Sequence, residues 1–191
     1  AWLSDEGGLY FTMVTRPNLS PVDGFKVNFM ASMALVKTVR RLCEIDVTVK
    51  WPNDILAGDK KLSGMLSEMG ASEDTLNYVN VGIGVNVNND PTDREAKATS
   101  LRILTGRTFS RKEVLSAFLD AFEKDFVEQD FSGAIARWKQ HAGSLNREVT
   151  VVTRQETVRG VAEDVDDDGA LIVRLPDGTT RKIVYGDCFY R

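Results

Sequence analysis

The sequence contains one histidine, His141, and two cysteines, Cys43 and Cys188. That scarcity excludes several kinds of chemistry. Two cysteines so far apart supply no zinc-type ligand spacing and no disulfide framework, so reduced thiols of a cytoplasmic protein are expected. A lone histidine with no partner motif is expected to be a surface or structural residue, and serine-nucleophile and P-loop patterns are absent. No apolar run approaches the ~18–20 residues that span a bilayer, and no signal peptide opens the chain. A basic excess is lacking as well. The net charge is -4 and the pI about 5.1, which argues against a general nucleic-acid-binding surface. Internal repeats and low-complexity tracts are also missing.

What remains is ordinary globular material. With 191 residues, 42% of them hydrophobic and 27% charged, the chain can bury a real core, as one large domain or a medium one plus a small one. Residues 9–14 form an apolar, aromatic run between Gly7-Gly8 and Pro17 and read as a buried strand. Residues 25–44 follow as a helix with Phe29, Met33, Val36 and Leu42 on one side and Asp23 as its N-cap. Residues 47–51 and 78–87 read as strands. A short helix is expected over 96–104 with Gly106 as its stop. Ser110-Arg111-Lys112-Glu113 is a capping-box signature. The helix after it carries Val114, Leu115, Phe118, Phe122 and Phe126 as a core stripe, and residues 131–140 extend the helical region with Trp138 as an anchor. From about Asn146 four short strands are expected, over 149–153, 158–163, 170–175 and 180–184, forming a small antiparallel barrel or sheet.

Two motifs imitate known sites and fail on inspection. Gly82-Ile83-Gly84 follows a strand, but Val87 stands where a third glycine belongs and no helix follows, so a dinucleotide fingerprint is rejected. Asp164-Val165-Asp166-Asp167-Asp168-Gly169 resembles half a calcium loop, but Leu175 occupies the glutamate position, so a solvated hairpin turn is expected.

The stretch Lys50-Trp51-Pro52-Asn53-Asp54-Ile55-Leu56-Ala57-Gly58-Asp59-Lys60-Lys61-Leu62-Ser63-Gly64 carries more information. It sets Asn53 and Asp54 at a strand end, turns on Gly58 and Asp59, and returns with Lys61 and Gly64. Acid, amide and ammonium on paired strands could hold a magnesium nucleotide and neutralise charge building on a phosphate. On spacing alone an ordinary surface hairpin fits equally well. Lys60, on the opposite face of its strand, should not be equivalent to Lys61.

The wording decides more than the spacing does. Lys50-Trp51-Pro52-Asn53-Asp54, Lys61-Leu62-Ser63-Gly64-Met65-Leu66 and Val81-Gly82-Ile83-Gly84-Val85-Asn86-Val87-Asn88, preceded by Gly7-Gly8-Leu9-Tyr10-Phe11-Thr12, resemble the biotin protein ligases in order and separation. The resemblance covers residues 2–191. It implies an α+β fold: a mixed sheet with packed helices over residues 1–144, then a small SH3-like β-barrel over 145–191. It implies a reaction in which biotin and ATP give biotinyl-5′-adenylate, and the biotinyl group then passes to a lysine on the biotin carrier domain of a carboxylase.

Residue roles follow by the same resemblance. Lys61 matches the catalytic lysine, and Asp54 a residue at the reaction centre. Asn53 and Asn86 match residues holding the ATP phosphates or their Mg2+. Gly64, Leu66, Gly82 and Gly84 line the biotin site, with Tyr10 and Thr12 bordering the ureido ring. Trp2 matches an aromatic that packs on adenine, while Asp187 and Arg191 reach from the barrel towards ATP and the acceptor protein. The family contains monomers and dimers, so a homodimer is possible. In the family a Gly/Arg-rich loop precedes the residue matching Ala1. The chain opens after it without an initiator methionine, so a cut at a mobile basic loop, weak biotin binding and leakage of adenylate are expected. Three alternatives stay open: a lipoate-type ligase, a non-catalytic remnant that binds biotin or a carrier domain, and a corepressor whose DNA-binding domain lies upstream.

Overall fold

The computed structural model describes residues 4–128 and 131–190. The first sheet has the order β1-β5-β4-β3-β2, built from Leu9–Thr15 (β1), Thr48–Lys50 (β2), Asp54–Ala57 (β3), Lys60–Ser72 (β4) and Thr75–Val85 (β5). Every ladder in it is antiparallel. The tight turns joining β2 through β5 force that direction. The parallel component of the expected mixed sheet is reduced to isolated bridges, Val49 to Ala142 and Lys61 to Ala98.

Helix α1 (Lys26–Cys43) crosses one face of this sheet and is buried on more than one side. Its Phe29, Met33 and Val36 are buried as expected, and so are Met30, Ala34, Leu35 and Val39, because α3 (Arg111–Val127) and α4 (Ala134–Lys139) cover its outer side. Ser110 caps α3 by accepting from the Glu113 amide at 3.3 Å. Phe118 packs edge-on to Phe11 of β1 and face-on to Phe122, while Trp138 lies 5.0 Å from the Phe29 ring. Short helix α2 (Leu101–Thr105) ends at Gly106, which is left-handed as its C-cap. Asp23 is not the N-cap of α1. It closes a 3-10 turn, Pro21–Asp23, where it accepts from Ser20 and pairs with Lys26 at 2.6 Å, and the helix starts later at an uncapped Phe25. Among the described residues no helix is long and apolar enough to cross a membrane.

The second sheet has the order β10-β6-β7-β8-β9 and five strands where four were expected: Glu148–Val152 (β6), Thr157–Val165 (β7), Leu171–Arg174 (β8), Thr180–Ile183 (β9) and Asp187–Tyr190 (β10). The extra strand, four residues opening on an aspartate, shows little periodicity in sequence. The Asp166–Gly169 turn is tied by Lys182, which bonds to Asp166 at 2.8 Å and to Asp168, so a lysine sits where the calcium-like motif would need a metal.

The two sheets meet through specific polar contacts. Trp51 donates its backbone N–H to the Ser144 hydroxyl at 2.9 Å and its indole N–H to the Gly169 carbonyl at 3.0 Å. Gly169 has φ +76°, and a Cβ there would lie 2.6 Å from the Phe25 ring. Gly169→Ala is therefore expected to cost about 1–3 kcal/mol, read as a lower urea midpoint; an unchanged midpoint would show that the seam yields freely. His141 supplies a second expectation. The Arg40 guanidinium, which can only donate, lies 2.9 Å from Nδ1, so that nitrogen must be an unprotonated acceptor. Burial, then the Arg40 charge, hold the His141 pKa below its ordinary value, with Lys37 adding to this and Asp46 opposing it. The unfolded chain thus binds the proton more readily, and the stabilisation present above the unfolded pKa of about 6.5 is lost as pH falls below it. Urea midpoints at pH 7.5 and 5.5 should differ more in the parent protein than in His141→Gln, which keeps an acceptor for Arg40.

Candidate active site

The face of the first sheet opposite α1 is open, and the strand register arranges it in rows. One row runs Asp54, Gly64, Gly84, Tyr10 across β3, β4, β5 and β1; the next runs Leu66, Gly82, Thr12. Since side chains alternate along strands, all seven residues share this face. Three are glycines, so the middle of the face is a trough with no side chains in it. Its rims are Tyr10 and Thr12 on one flank, Asp54 and Lys61 on the other. None of the three glycines has a left-handed backbone, so conformation does not demand them. A Cβ on Gly82 would meet nothing closer than the Leu66 carbonyl at 3.6 Å and the Thr12 hydroxyl at 3.9 Å; it would fill the trough without clashing.

Lys61 reaches this face because of a β-bulge. Asp54 pairs with Gly64 and Ile55 with Ser63, but Leu56 pairs with Lys61, leaving Leu62 as the extra residue. Strict alternation would turn Lys61 to the core side; the added residue turns it back beside Asp54. The backbone groups of Lys61 are satisfied by a neighbouring segment. Its N–H donates to the Lys97 carbonyl at 2.7 Å, and its carbonyl accepts from Thr99 at 2.9 Å. Lys60 is exposed and has no part in the Asp54 pairing, so it is not equivalent to Lys61.

Asp54 sits between two ammonium groups. Lys61 Nζ lies 2.6 Å from Oδ1 and Lys50 Nζ 2.9 Å from Oδ2. The side chain of Asp54 is 11% exposed and that of Lys50 17%, whereas that of Lys61 is 43% exposed and so the freer partner. Asn53 is fixed to β4 twice: its carbonyl accepts from the Met65 N–H at 3.0 Å and its side-chain amide donates to the Met65 carbonyl. Among the described residues its side-chain oxygen has no hydrogen-bond partner.

These residues border a pocket of about 480 Å³, completed from the second sheet by Asp187, Cys188, Phe189 and Tyr190 and by Arg147. The pocket thus brings together Asn53, Asp54, Lys61, Gly64, Leu66 and Asp187. Gly82, Gly84, Tyr10 and Thr12 lie farther along the trough, outside that lining. Asn86 is also outside it, its side-chain oxygen accepting from Asn89 at 2.9 Å. Trp2 and Arg191 fall outside the described residues. Burial pushes the Cys188 thiol up to about 11 and the Tyr190 hydroxyl up to about 12, so both stay protonated at neutral pH. Sequence reasoning missed Lys50 as a site residue, although its place four residues before Asp54 was a usable signal. It also missed Lys97, Arg147 and Tyr190, whose approach is purely tertiary.

Gly64 differs from Gly82 in being required by packing. A Cβ there would lie 3.0 Å from Lys61 Cε and Nζ and 3.2 Å from Asp54 Oδ1. Gly64→Ala should fold at a cost of about 1–3 kcal/mol and push the ammonium off the carboxylate. A crystal structure of the variant that still shows the 2.6 Å pair would refute this.

Comparison with known proteins gives this geometry a context. Residues 1–86 match the Biotin/lipoate A/B protein ligase family, and residues 144–191 match the Biotin protein ligase C terminal domain. The biotin--[acetyl-CoA-carboxylase] ligase of Paracoccus denitrificans is 30% identical over 187 residues, covering 93% of this chain and 78% of that protein. The bifunctional ligase/repressor BirA of Bacillus subtilis is 34% identical over 194 residues, 97% of this chain, and this chain spans only 59% of BirA's length. Among solved structures, the biotin protein ligase of Aquifex aeolicus in complex with biotin and ATP superposes with a TM-score of 0.79 at 29% identity, covering 100% of this chain and 81% of the other. With a shared fold and relatives of this identity along nearly its whole length, the chain belongs to the biotin protein ligase family.

Proposed function

We propose that the protein activates biotin with ATP and transfers it to a lysine on the biotin carrier domain of a carboxylase. The observation that carries this reading is the Lys50–Asp54–Lys61 cluster at the rim of a glycine-floored trough. A thin ring and its alkyl chain fit a surface stripped of side chains, with Tyr10 and Thr12 along the far rim and Leu66 as an apolar flank. The carboxylate of the seated biotin would then approach Lys61.

In the first step a biotin carboxylate oxygen attacks the α-phosphorus of ATP. The bond from that phosphorus to the bridging oxygen breaks, its electron pair leaves with pyrophosphate, and biotinyl-5′-adenylate remains. Lys61 is the compact positive charge for the oxygens that gain charge at the α-phosphate. Asp54 holds that ammonium in place beforehand, and Lys50 holds Asp54. In the second step the acceptor lysine attacks the mixed anhydride, the biotinyl carbonyl receives the amine, and AMP departs.

Among the described residues no cluster of three acidic, histidine or cysteine side chains could hold a metal alone, so Mg2+ would arrive with the nucleotide and neutralise its phosphates. Asn53, with its side-chain oxygen free, suits that complex; Asn86 suits it once Asn89 releases its oxygen. Residues 1–144 are the catalytic unit in this reading and 145–191 a smaller unit that supplies Asp187. The reading places the reaction in the cytoplasm, the compartment that suits two buried, unpaired cysteines.

The test is biotin-dependent pyrophosphate release and avidin detection of a modified carrier domain, made on the protein at its natural length. Lys61→Gln should lower the adenylation rate by about 10²-fold or more while the protein stays folded. A wild-type rate in Lys61→Gln, or no biotin-dependent pyrophosphate release by the parent protein, would overturn the assignment.

A further inference from the structure

One residue of the pocket wall has no part in the scheme above. Arg147, just before β6, lays its guanidinium 3.9 Å from the centre of the Tyr190 ring and places Nη1 3.0 Å from Asp59 Oδ1. Lys50 lies over the same ring at 6.0 Å. The charged groups therefore form a closed circuit: Lys61, Asp54, Lys50, the Tyr190 face, Arg147, and Asp59 in the turn that leads back to Lys61. Three cations in this circuit face two carboxylates.

The grip on Arg147 is uneven. The Tyr190 ring, half-buried and bonded through its hydroxyl to Ser144 at 3.3 Å, fixes the plane of the guanidinium. Asp59 holds one corner, yet its side chain is 72% exposed, and an exposed ion pair of this kind is weak and exchangeable. The result is a planar donor fork, oriented in advance on a pocket wall, with an easily displaced resting partner. Arginine's fork matches two phosphate oxygens at once. Lys50 and Lys61 share one carboxylate, so they cannot by themselves neutralise a triphosphate.

We propose that Arg147 binds the β- and γ-phosphates of the nucleotide, and so the pyrophosphate that leaves, exchanging Asp59 for phosphate oxygens. This rests on the ligase reading and adds a division of labour: Lys61 serves the α-phosphate and Arg147 the leaving group. Glu95 lines the same pocket and would repel a free pyrophosphate left in place, which favours its release after the bond breaks.

The experiment compares Arg147→Gln, Arg147→Lys and Asp59→Asn with the parent protein at its natural length. Calorimetric titration with inorganic pyrophosphate reads the site without requiring turnover. Loss of a charged bidentate contact should weaken pyrophosphate binding about 10–100-fold in Arg147→Gln, with partial recovery in Arg147→Lys and tighter binding in Asp59→Asn. In the assay, Arg147→Gln should slow adenylation while transfer from preformed biotinyl-5′-adenylate to the carrier keeps its rate. Unchanged pyrophosphate affinity in Arg147→Gln, or equal losses in both half-reactions together with a lower melting temperature, would overturn the proposal. Absence of biotin-dependent turnover in the parent protein would instead overturn the ligase reading, leaving the titration to judge Arg147.

Discussion

The extra residue at Leu62 is the constraint on which the site depends. A strand has a strict period of two, so Lys61 and Gly64 would lie on opposite faces without it. With it, the ammonium joins Asp54 and the glycine row on one face while Leu62 stays fully buried. The distortion leaves no backbone group of Lys61 unpaired, because the segment at 97–99 takes both. That segment leads into α2, and its Ala98 and Thr99 are buried, so a packed connection serves as the clamp on the residue with the strongest claim to chemistry.

The glycine row depends in turn on the ion pair. At Gly64 the missing side chain makes room for Lys61 and Asp54, whereas at Gly82 it makes room for nothing in the protein. Two glycines in neighbouring rows thus have different physical reasons. One is explained by packing. The other has no internal reason, and an unfilled cradle on an otherwise well-packed sheet is the mark of a surface shaped for something else.

Much of this was legible in the sequence, and the rest could not have been. The helices over 26–43 and 111–127 follow from apolar spacing, and the Ser110 cap and Gly106 stop follow from local chemistry. Asp54, Asn53, Lys61 and Gly64 were picked out by motif wording. The bulge was invisible, since Lys60-Lys61-Leu62-Ser63-Gly64 reads as plain strand and only the partner's register reveals the extra residue. Asp23 misled because a serine and a lysine compete for its carboxylate ahead of the helix. Arg147 and Tyr190 had no local signal at all. Their roles arise where the second sheet meets the first, and Trp51, fully buried and bonded to Ser144 and Gly169, sets that meeting place. A sheet of this size is too small to stand securely alone, and here it rests on the tryptophan of the motif that carries Asp54.

Two lysines on one aspartate look redundant until their exposures are compared. A carboxylate as enclosed as Asp54 needs a partner at all times, because removing one member of an enclosed pair leaves an uncompensated charge. If Lys61 were that only partner, moving it to a phosphate would strand Asp54. Lys50, the less exposed lysine, holds the second oxygen and removes that penalty. In the proposed reaction Lys61 would then leave Asp54, meet the developing charge and return without the site losing its shape. The enclosed lysine keeps the acid partnered, the acid keeps the exposed lysine in place, and the exposed lysine is the more mobile of the two.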